Sequence, residues 1–177
     1  MRKKLVCVLL CSTFSLLHAS DWATSDGSCY ARGDQFISVG VSVFHFGGYA
    51  VFDYAVHDAI SVGGGIGYNG YGFSRLWRYN YIPIAMRGSF HPFNLEVLAD
   101  RISVRDKLDP YIGVAMGWNI GWATWKGNGD EITAPNVGGF LFRENIGIRF
   151  YPADRFYIYA EEGAGFGNIN FGVGFKL

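Results

Sequence analysis

The sequence predicts an all-β fold: a closed antiparallel transmembrane up-and-down β-barrel of about eight strands, preceded by a cleavable signal peptide. The chain is rich in glycine and aromatic residues, with 25 Gly, 15 Phe, 11 Tyr and 5 Trp among 177 residues. After the N-terminal segment, apolar residues alternate with small or polar ones, which is the period of a β-strand. No apolar run there approaches the roughly 18 residues of a membrane helix. Strands must therefore cross the membrane, and they must close on themselves to pair every backbone group.

The first 20 residues have the layout of a secretory signal peptide. Residues 2–4 are cationic, residues 5–17 are almost wholly apolar, and the small residues Ala19 and Ser20 follow. We expect cleavage after one of these two residues. The predicted regions are a signal peptide at residues 1–20, a short N-terminal segment at residues 21–34 and an outer-membrane barrel at residues 35–177.

Charge and cysteine content exclude several classes of function. The signal peptide holds three of the 15 Lys and Arg residues and none of the 15 Asp and Glu residues. The remaining chain has a formal charge of about −3 and no basic cluster, so nucleic-acid binding is not expected. Cys29 is the one cysteine outside the signal peptide, so no intramolecular disulfide is expected. No cofactor is predicted.

The clearest predicted strand covers residues 111–124. Its large face consists of Ile112, Val114, Met116, Trp118, Ile120 and Trp122. Its other face consists of Tyr111, Gly113, Ala115, Gly117, Asn119 and Gly121. A narrow barrel has a crowded lumen and an apolar outer wall, so we expect the large face to point toward lipid.

Seven further strands are predicted at residues 35–46, 49–56, 59–69, 79–90, 139–151, 155–166 and 169–177. An even number of strands places both termini at one end of the barrel, which for a secreted chain is the periplasmic end. The outer connections are then predicted at residues 47–48, 70–78, 126–136 and 167–168. The inner ones are predicted at residues 57–58, 94–109 and 152–154. The second inner connection is unusually long and has room for a short helix.

The signal peptide, the alternating Gly and aromatic strands and the closing strand at residues 170–177 resemble those of the small OmpA, OmpX and opacity-type outer-membrane barrels. The resemblance implies a Gram-negative-type outer membrane, with lipid and lipopolysaccharide as neighbours. It also implies insertion by the barrel-insertion machinery, which reads the C-terminal strand. Members usually end on an aromatic residue, whereas this chain ends on Leu177, with Phe175 in the same phase.

Charged residues within the predicted strands suggest a charge network in the lumen. An Arg at the bilayer midplane costs roughly 2–4 kcal/mol, so pointing inward and pairing is favoured. The candidates are Asp53, Arg87, Arg143, Arg149 and Glu161. We expect Glu161 to pair with Arg149 across neighbouring strands, with Glu162 as the alternative carboxylate. Structural ion pairs are the first interpretation and a gate or conducting role is the second. A constitutive pore is not expected in a barrel of this size.

No catalytic or metal site is predicted. Residues 65–70 match the pattern G-x-G-x-x-G, but the helix that a dinucleotide site requires does not follow. His45, His57 and His91 have no metal-ligand spacing. Ser89 and His91 lie two residues apart on one strand face, which is a possible catalytic pair. Their inward phase near the periplasmic end argues against that role.

The predicted function is non-enzymatic, with a structural or surface-interaction role in envelope integrity, adhesion or host contact. It would act through the outer loops at residues 70–78 and 126–136. The contact candidates, suited to anionic lipopolysaccharide or a host surface ligand, are Phe73, Arg75, Trp77 and Arg78. The alternatives are a lipid A-modifying enzyme, a narrow channel or small-hydrophobe transporter, and a soluble lipocalin-like binder.

Overall fold

A computed structural model of the chain describes residues 22–43, 46–72, 77–127, 137–163 and 166–177. Over these residues, eight antiparallel strands form one closed barrel in sequence order. They are β1 (Gln35–Ser42), β2 (Phe46–His57), β3 (Ile60–Tyr71), β4 (Trp77–Phe90), β5 (Leu108–Trp125), β6 (Gly139–Ala153), β7 (Phe156–Gly163) and β8 (Ile169–Lys176). The predicted fold class is confirmed. The predicted signal peptide lies outside the described residues and stays a prediction.

Pairing of β8 with β1 closes the sheet. It runs from Phe36 opposite Lys176 to Ser42 opposite Asn170. The first and last described residues lie at the same end of the barrel, which we call the terminal end. The opposite end, where residues 43–45, 72–76, 126–138 and 164–168 connect the strands, is the loop end.

The outer wall is a continuous apolar surface, and its exposures follow the predicted alternation. On β5, Val114 is 45% exposed whereas its neighbour Ala115 is fully buried. The other exposed apolar side chains of the wall include Ile37, Val39, Val41, Val62, Ile66, Ile84, Met86, Ile146, Ile148 and Phe171. Tyrosine, serine and charged side chains fill the lumen instead. The core of this protein is therefore rich in polar groups, although Phe36, Val51, Leu141 and Phe166 are also buried, and large apolar side chains cover the outside.

The predicted turn at residues 47–48 is wrong. Gly47 and Gly48 belong to β2 and pair with Ser42 and Val41 of β1, so they lie within the paired strand and not in the turn before it. A Cβ atom on Gly47 would collide with the backbone of Tyr68 in β3. Glycine is therefore needed at position 47 because β2 and β3 approach each other closely there, and not because the chain turns.

The predicted strand at residues 155–166 ends earlier than expected. β7 stops at Gly163, whose φ of 84° lies in the left-handed region that favours glycine. Phe166 then leaves the wall and folds into the lumen, where it is 1% exposed. Its ring stacks on that of Tyr49 with 5.1 Å between centroids. A residue predicted to be part of the wall thus helps to fill the interior.

Residues 22–34 and 91–107 form a layer over the terminal end, which we call the terminal cap. Two backbone hydrogen bonds join its halves: Thr24 N–H donates to Asn94 O (2.8 Å) and Cys29 N–H donates to Arg105 O (2.9 Å). The long connection contains a 3₁₀ turn (Pro92–Asn94) and a one-turn helix, α1 (Glu96–Ala99). No helix in the described part of the chain is long and apolar enough to cross a membrane.

The face assignment is testable on β5. We expect Val114→Lys to lower the free energy of unfolding in lipid vesicles by about 2–4 kcal/mol, because it places a charge on the lipid-facing wall. Val97→Lys is the control, since Val97 in α1 is 74% exposed but lies in the terminal cap. Equal stability of the two variants in urea titrations would contradict the assignment.

Candidate functional site

Asp53 and Arg87 meet inside the barrel across one intervening strand. Asp53 on β2 lies opposite Gly63 on β3, and Gly63 lies opposite Arg87 on β4. A Cβ atom on Gly63 would collide with the Asp53 carboxylate, so glycine is needed between them. The guanidinium binds in a bidentate manner: Arg87 Nε donates to Asp53 Oδ1 (2.8 Å) and Arg87 Nη2 donates to Asp53 Oδ2. Such bidentate pairs of a guanidinium with a carboxylate are among the strong hydrogen bonds of proteins.

Two further charged residues extend this pair. Arg87 Nη1 donates to Glu161 Oε2 at 2.7 Å, and the Tyr111 hydroxyl donates to the same oxygen at 2.8 Å. On the other side, Arg149 Nη2 donates to Asp53 Oδ2 at 2.8 Å. Glu161, Arg87, Asp53 and Arg149 therefore alternate in charge, and each is at most 7% exposed.

Arg149 is also held by aromatic rings. Its guanidinium carbon lies 4.7 Å from the ring centroid of Phe36, 4.9 Å from that of Tyr111 and 5.3 Å from that of Tyr157. Contact with ring faces stabilises a cation that water does not reach. A second carboxylate, Asp109, lies near it, with 3.6 Å between Arg149 Nη1 and Asp109 Oδ2.

Asp109 also contacts His91, and the sequence analysis did not include either residue in the charge network. Its Oδ1 atom lies 2.7 Å from His91 Nδ1, and His91 Nε2 lies 3.0 Å from the Ser61 hydroxyl oxygen. Asp109 was predicted to end a connection, but β5 begins at Leu108. Because Asp109 has the same phase as Tyr111, extending the strand pattern by two residues would have found it. We call the following residues together the lumen charge network: Asp53, Ser61, Arg87, His91, Asp109, Arg149 and Glu161.

The structure does not bring Arg143 into the network. Arg143 has the lumen-facing phase of β6, but its side chain is exposed. β7 ends at Gly163, opposite Asn145, so no described residue of β7 lies opposite Arg143. The expected Arg149–Glu161 pair is not formed either. Glu161 lies opposite Gly147 and reaches across the lumen to Arg87, and Ser89 contacts Asn145 rather than His91.

Aromatic layers close the lumen on both sides of the network. Toward the loop end, the Tyr159 hydroxyl donates to the Tyr49 hydroxyl (2.8 Å), and Phe166 stacks on Tyr49. Toward the terminal end, Tyr30 of the terminal cap stacks on His91 with 3.8 Å between centroids. Tyr30 is fully buried and donates a hydrogen bond from its hydroxyl to His57 O (3.2 Å). The charges are therefore enclosed between two layers of rings.

Burial also shapes the chemistry of the terminal cap. It raises the pKa of the Tyr30 phenol above its ordinary value. It likewise raises the pKa of the Cys29 thiol to about 12, with a smaller contribution from Asp109 that Lys176 and Arg149 partly offset. A thiol with so high a pKa stays protonated near neutral pH and is a poor nucleophile.

The loop-contact candidates fall into two groups. Phe73 and Arg75 lie outside the described residues. Trp77 has the lumen-facing phase of β4 and packs edge-on against Trp125, with 5.0 Å between ring centroids. Arg78 is exposed on the wall side. Among the described residues, no group of three or more His, Cys, Asp or Glu side chains is placed to hold a metal ion.

Comparison with known proteins gives a likeness of fold. No family model and no curated protein matches the sequence. Among solved structures, Ail, the attachment invasion locus protein of Yersinia pestis, is 15% identical, with 82% of this chain and 99% of that chain covered and a TM-score of 0.52. The N-terminal barrel of Pseudomonas aeruginosa OprF is 16% identical, with 82% and 98% covered and a TM-score of 0.52.

The Pseudomonas aeruginosa outer membrane protein OprG is 9% identical, with 85% of this chain and 98% of that chain covered and a TM-score of 0.55. At these identities the comparison establishes the architecture alone. The resemblance to small outer-membrane barrels that the sequence predicted is confirmed at the level of the fold.

A double-mutant cycle tests the central contact. We expect Arg87→Gln to lower the free energy of unfolding by about 3–5 kcal/mol, because it leaves the buried Glu161 without a counter-charge and Asp53 with Arg149 alone. Glu161→Gln removes the other partner of the same contact, so the two losses should not add. We expect the double variant to be about 1–3 kcal/mol more stable than the sum of the two single losses predicts. The cycle of Glu161→Gln with Arg143→Gln is the control and should be additive. Additivity in both cycles, measured by urea titration in lipid vesicles, would show that the ion pair contributes nothing.

Proposed function

We propose that the protein is an integral outer-membrane barrel that does not conduct solutes and has no enzymatic activity. Its barrel anchors a loop end that contacts partners at the cell surface, and it serves envelope integrity or adhesion. In this proposal, residues 1–20 direct export and the C-terminal strand is read by the barrel-insertion machinery.

The apolar outer wall supports the membrane location. A soluble protein of this size rarely exposes so many large apolar side chains in one continuous belt. In the closed barrel each strand also pairs with both of its neighbours, which satisfies backbone groups that lipid cannot. Phe175 and Leu177, at the end of β8, are 53% and 64% exposed, so they are accessible to lipid or to an insertion factor.

The closed lumen is the observation that carries the proposal. A conducting barrel needs a continuous polar path, whereas here the paired charges lie between the Tyr49–Phe166 stack and the Tyr30–His91 stack. Separating the charges to open a path would leave buried ions unpaired, at several kcal/mol each. The network is better suited to holding the barrel rigid than to passing a solute.

An enzymatic role finds less support. Ser61, His91 and Asp109 form a hydroxyl, imidazole and carboxylate chain, which is the order of groups in a nucleophilic triad. Ser61 and His91 are each 1% exposed, however, and the Tyr30 ring lies on His91. A nucleophile needs room for a substrate beside it. The same contacts are explained by the need of three buried polar side chains for hydrogen-bond partners.

Conductance distinguishes this proposal from a channel. We expect the folded protein in planar lipid bilayers to show no stable openings, because paired charges and stacked aromatic rings occupy the lumen. A large porin inserted into the same bilayers is the positive control. Reproducible unitary conductance from protein with the gel mobility of the folded form would contradict the proposal.

The loop end suits an anionic partner. Arg78 and Lys126 are exposed there, and Arg75 precedes Arg78 by three residues in the sequence. One structure of Ail, with a TM-score of 0.53 to this chain at 14% identity, is a complex with the heparin analogue sucrose octasulfate. We propose that the loop end of this chain binds sulfated or phosphorylated saccharides by charge.

Binding of sucrose octasulfate provides the test. We expect the folded protein to bind it in a salt-dependent manner, and Arg75→Gln with Arg78→Gln to weaken binding about tenfold, as for the loss of two charge contacts. The control is Arg32→Gln with Arg101→Gln, which removes two exposed cations at the terminal end. Equal weakening by both double variants, measured by calorimetry, would show that the contact is not at the loop end.

A further inference from the structure

A cavity of about 400 Å³ lies at the terminal end, where the terminal cap meets the connection between β6 and β7. Residues 27–29 and 106–107 of the terminal cap form one side of it, and residues 151–154 with Lys176 form the other. Sites for small molecules usually measure about 300–1,000 Å³. No member of the lumen charge network lines this cavity, so the contacts described above do not account for it.

Hydrogen bonds hold the two sides of the cavity in place. Tyr151 N–H donates to Lys107 O (2.8 Å), which ties β6 to the terminal cap. Lys176 Nζ donates to Cys29 O (3.1 Å), which ties β8 to the opposite half of the cap. A ligand would therefore find the site already formed and would have little of the chain to order.

The hydroxyl of Tyr151 is an unsatisfied polar group at this cavity. Tyr151 is 3% exposed, and its hydroxyl has no hydrogen-bond partner within the described chain. The buried hydroxyls of Tyr111 and Tyr157, by contrast, contact Glu161 and Ser38. Leaving a buried polar group unpaired is costly, so such a group needs an explanation. An acceptor supplied by a ligand in the cavity would provide one.

Two lysines add positive charge beside this hydroxyl. Lys176 Nζ donates to Cys29 O and to Asp34 Oδ2 (2.8 Å), and an ammonium group has three donors, so one is left over. Lys107 is exposed and forms no ion pair with any described residue. Together with the Tyr151 hydroxyl, these donors suit a carboxylate.

Two aspartates balance the lysines. Asp106 and Asp154 line the same cavity, are exposed, and form no ion pair within the described residues. Two Lys and two Asp give the lining a formal charge of zero. A multiply charged anion would face both carboxylates, and a simple cation would leave the lysine donors unused. A ligand with one carboxylate and one ammonium group matches both signs.

We propose that this cavity binds the zwitterionic head group of an amino acid. Lys107, Lys176 and the Tyr151 hydroxyl bind its carboxylate, and Asp106 and Asp154 bind its ammonium group. The same head group occurs in free amino acids and at the end of longer chains, and the test below separates these two sources. This site lies at the end of the barrel opposite the saccharide site proposed for the loop end, and it does not depend on that site.

A series of small ligands tests the chemistry of the site by calorimetry on the folded protein in detergent micelles. Alanine carries both charges, propionate only the carboxylate and ethylamine only the ammonium group. We expect alanine to bind at least about tenfold more tightly than either, because each of the others lacks one set of charged contacts. Nε-acetyl-lysine places the same head group on a longer chain. Tighter binding of Nε-acetyl-lysine than of alanine would assign the site to a chain end, and weaker binding would assign it to a free amino acid.

Tyr151→Phe tests the unsatisfied hydroxyl. We expect it to weaken alanine binding about tenfold without lowering the free energy of unfolding, because the hydroxyl has no partner in the protein to lose. Tyr157→Phe is the matched control. The hydroxyl of Tyr157 lies 2.7 Å from the Ser38 hydroxyl oxygen and does not line the cavity, so its loss should lower stability and leave alanine binding unchanged.

Charge variants test the two halves of the site, with the folded state of each verified by its faster gel mobility when unheated. Lys107→Gln and Asp154→Asn should each weaken alanine binding several-fold, whereas Arg101→Gln, which removes an exposed cation of the terminal cap outside the cavity, should not. No saturable binding of alanine or Nε-acetyl-lysine to the unmodified protein would overturn the site. Equal binding of alanine and propionate would overturn it too, as would unchanged binding in folded Tyr151→Phe or Asp154→Asn.

Discussion

The interior of the barrel depends on the Asp53 carboxylate, which accepts hydrogen bonds from Arg87 and Arg149, the two buried arginines of the described strands. An eight-stranded barrel is narrow enough for its own side chains to fill it, so charges placed inside have little water to solvate them. Each must find a partner of opposite sign among the other lumen residues. Arg87 and Arg149 meet this requirement by sharing Asp53 and by reaching Glu161 and Asp109 respectively. Gly63 makes the first contact possible because it leaves room for the carboxylate.

The same constraint organises the ends of the barrel. Ion pairs strengthen as water is excluded, and aromatic layers exclude it on both sides of the network. At the loop end, Phe166 reaches the lumen because β7 ends at Gly163; at the terminal end, Tyr30 enters from the terminal cap. The early end of β7 also leaves Arg143 exposed, because no described residue of β7 lies opposite it. The end of β7 thus lets Phe166 fill the interior and leaves one predicted lumen charge exposed.

Large and small residues alternate along each strand. This allowed the fold and the wall-facing and lumen-facing sides to be predicted, because the alternation can be read from neighbouring residues alone. Asp53, Arg87, Arg149 and Glu161 were placed in the lumen for this reason. Their partners were not predictable in the same way, since contacts across the lumen depend on the tilt and stagger of all eight strands. Glu161 meets Arg87, far away in sequence, rather than Arg149 on the neighbouring strand. The terminal cap has no repeating pattern of residues, so the stacking of Tyr30 on His91 could not be predicted from the sequence.

The free energy of unfolding of Asp53→Asn in lipid vesicles tests this account most directly. The substitution keeps the size and shape of the side chain but removes the charge that faces both arginines. The account predicts a loss of about 3–5 kcal/mol, as for breaking a buried ion pair from one side. It also predicts that Arg87→Gln added to Asp53→Asn costs much less than Arg87→Gln alone. A variant as stable as the unmodified protein would contradict the central role of Asp53.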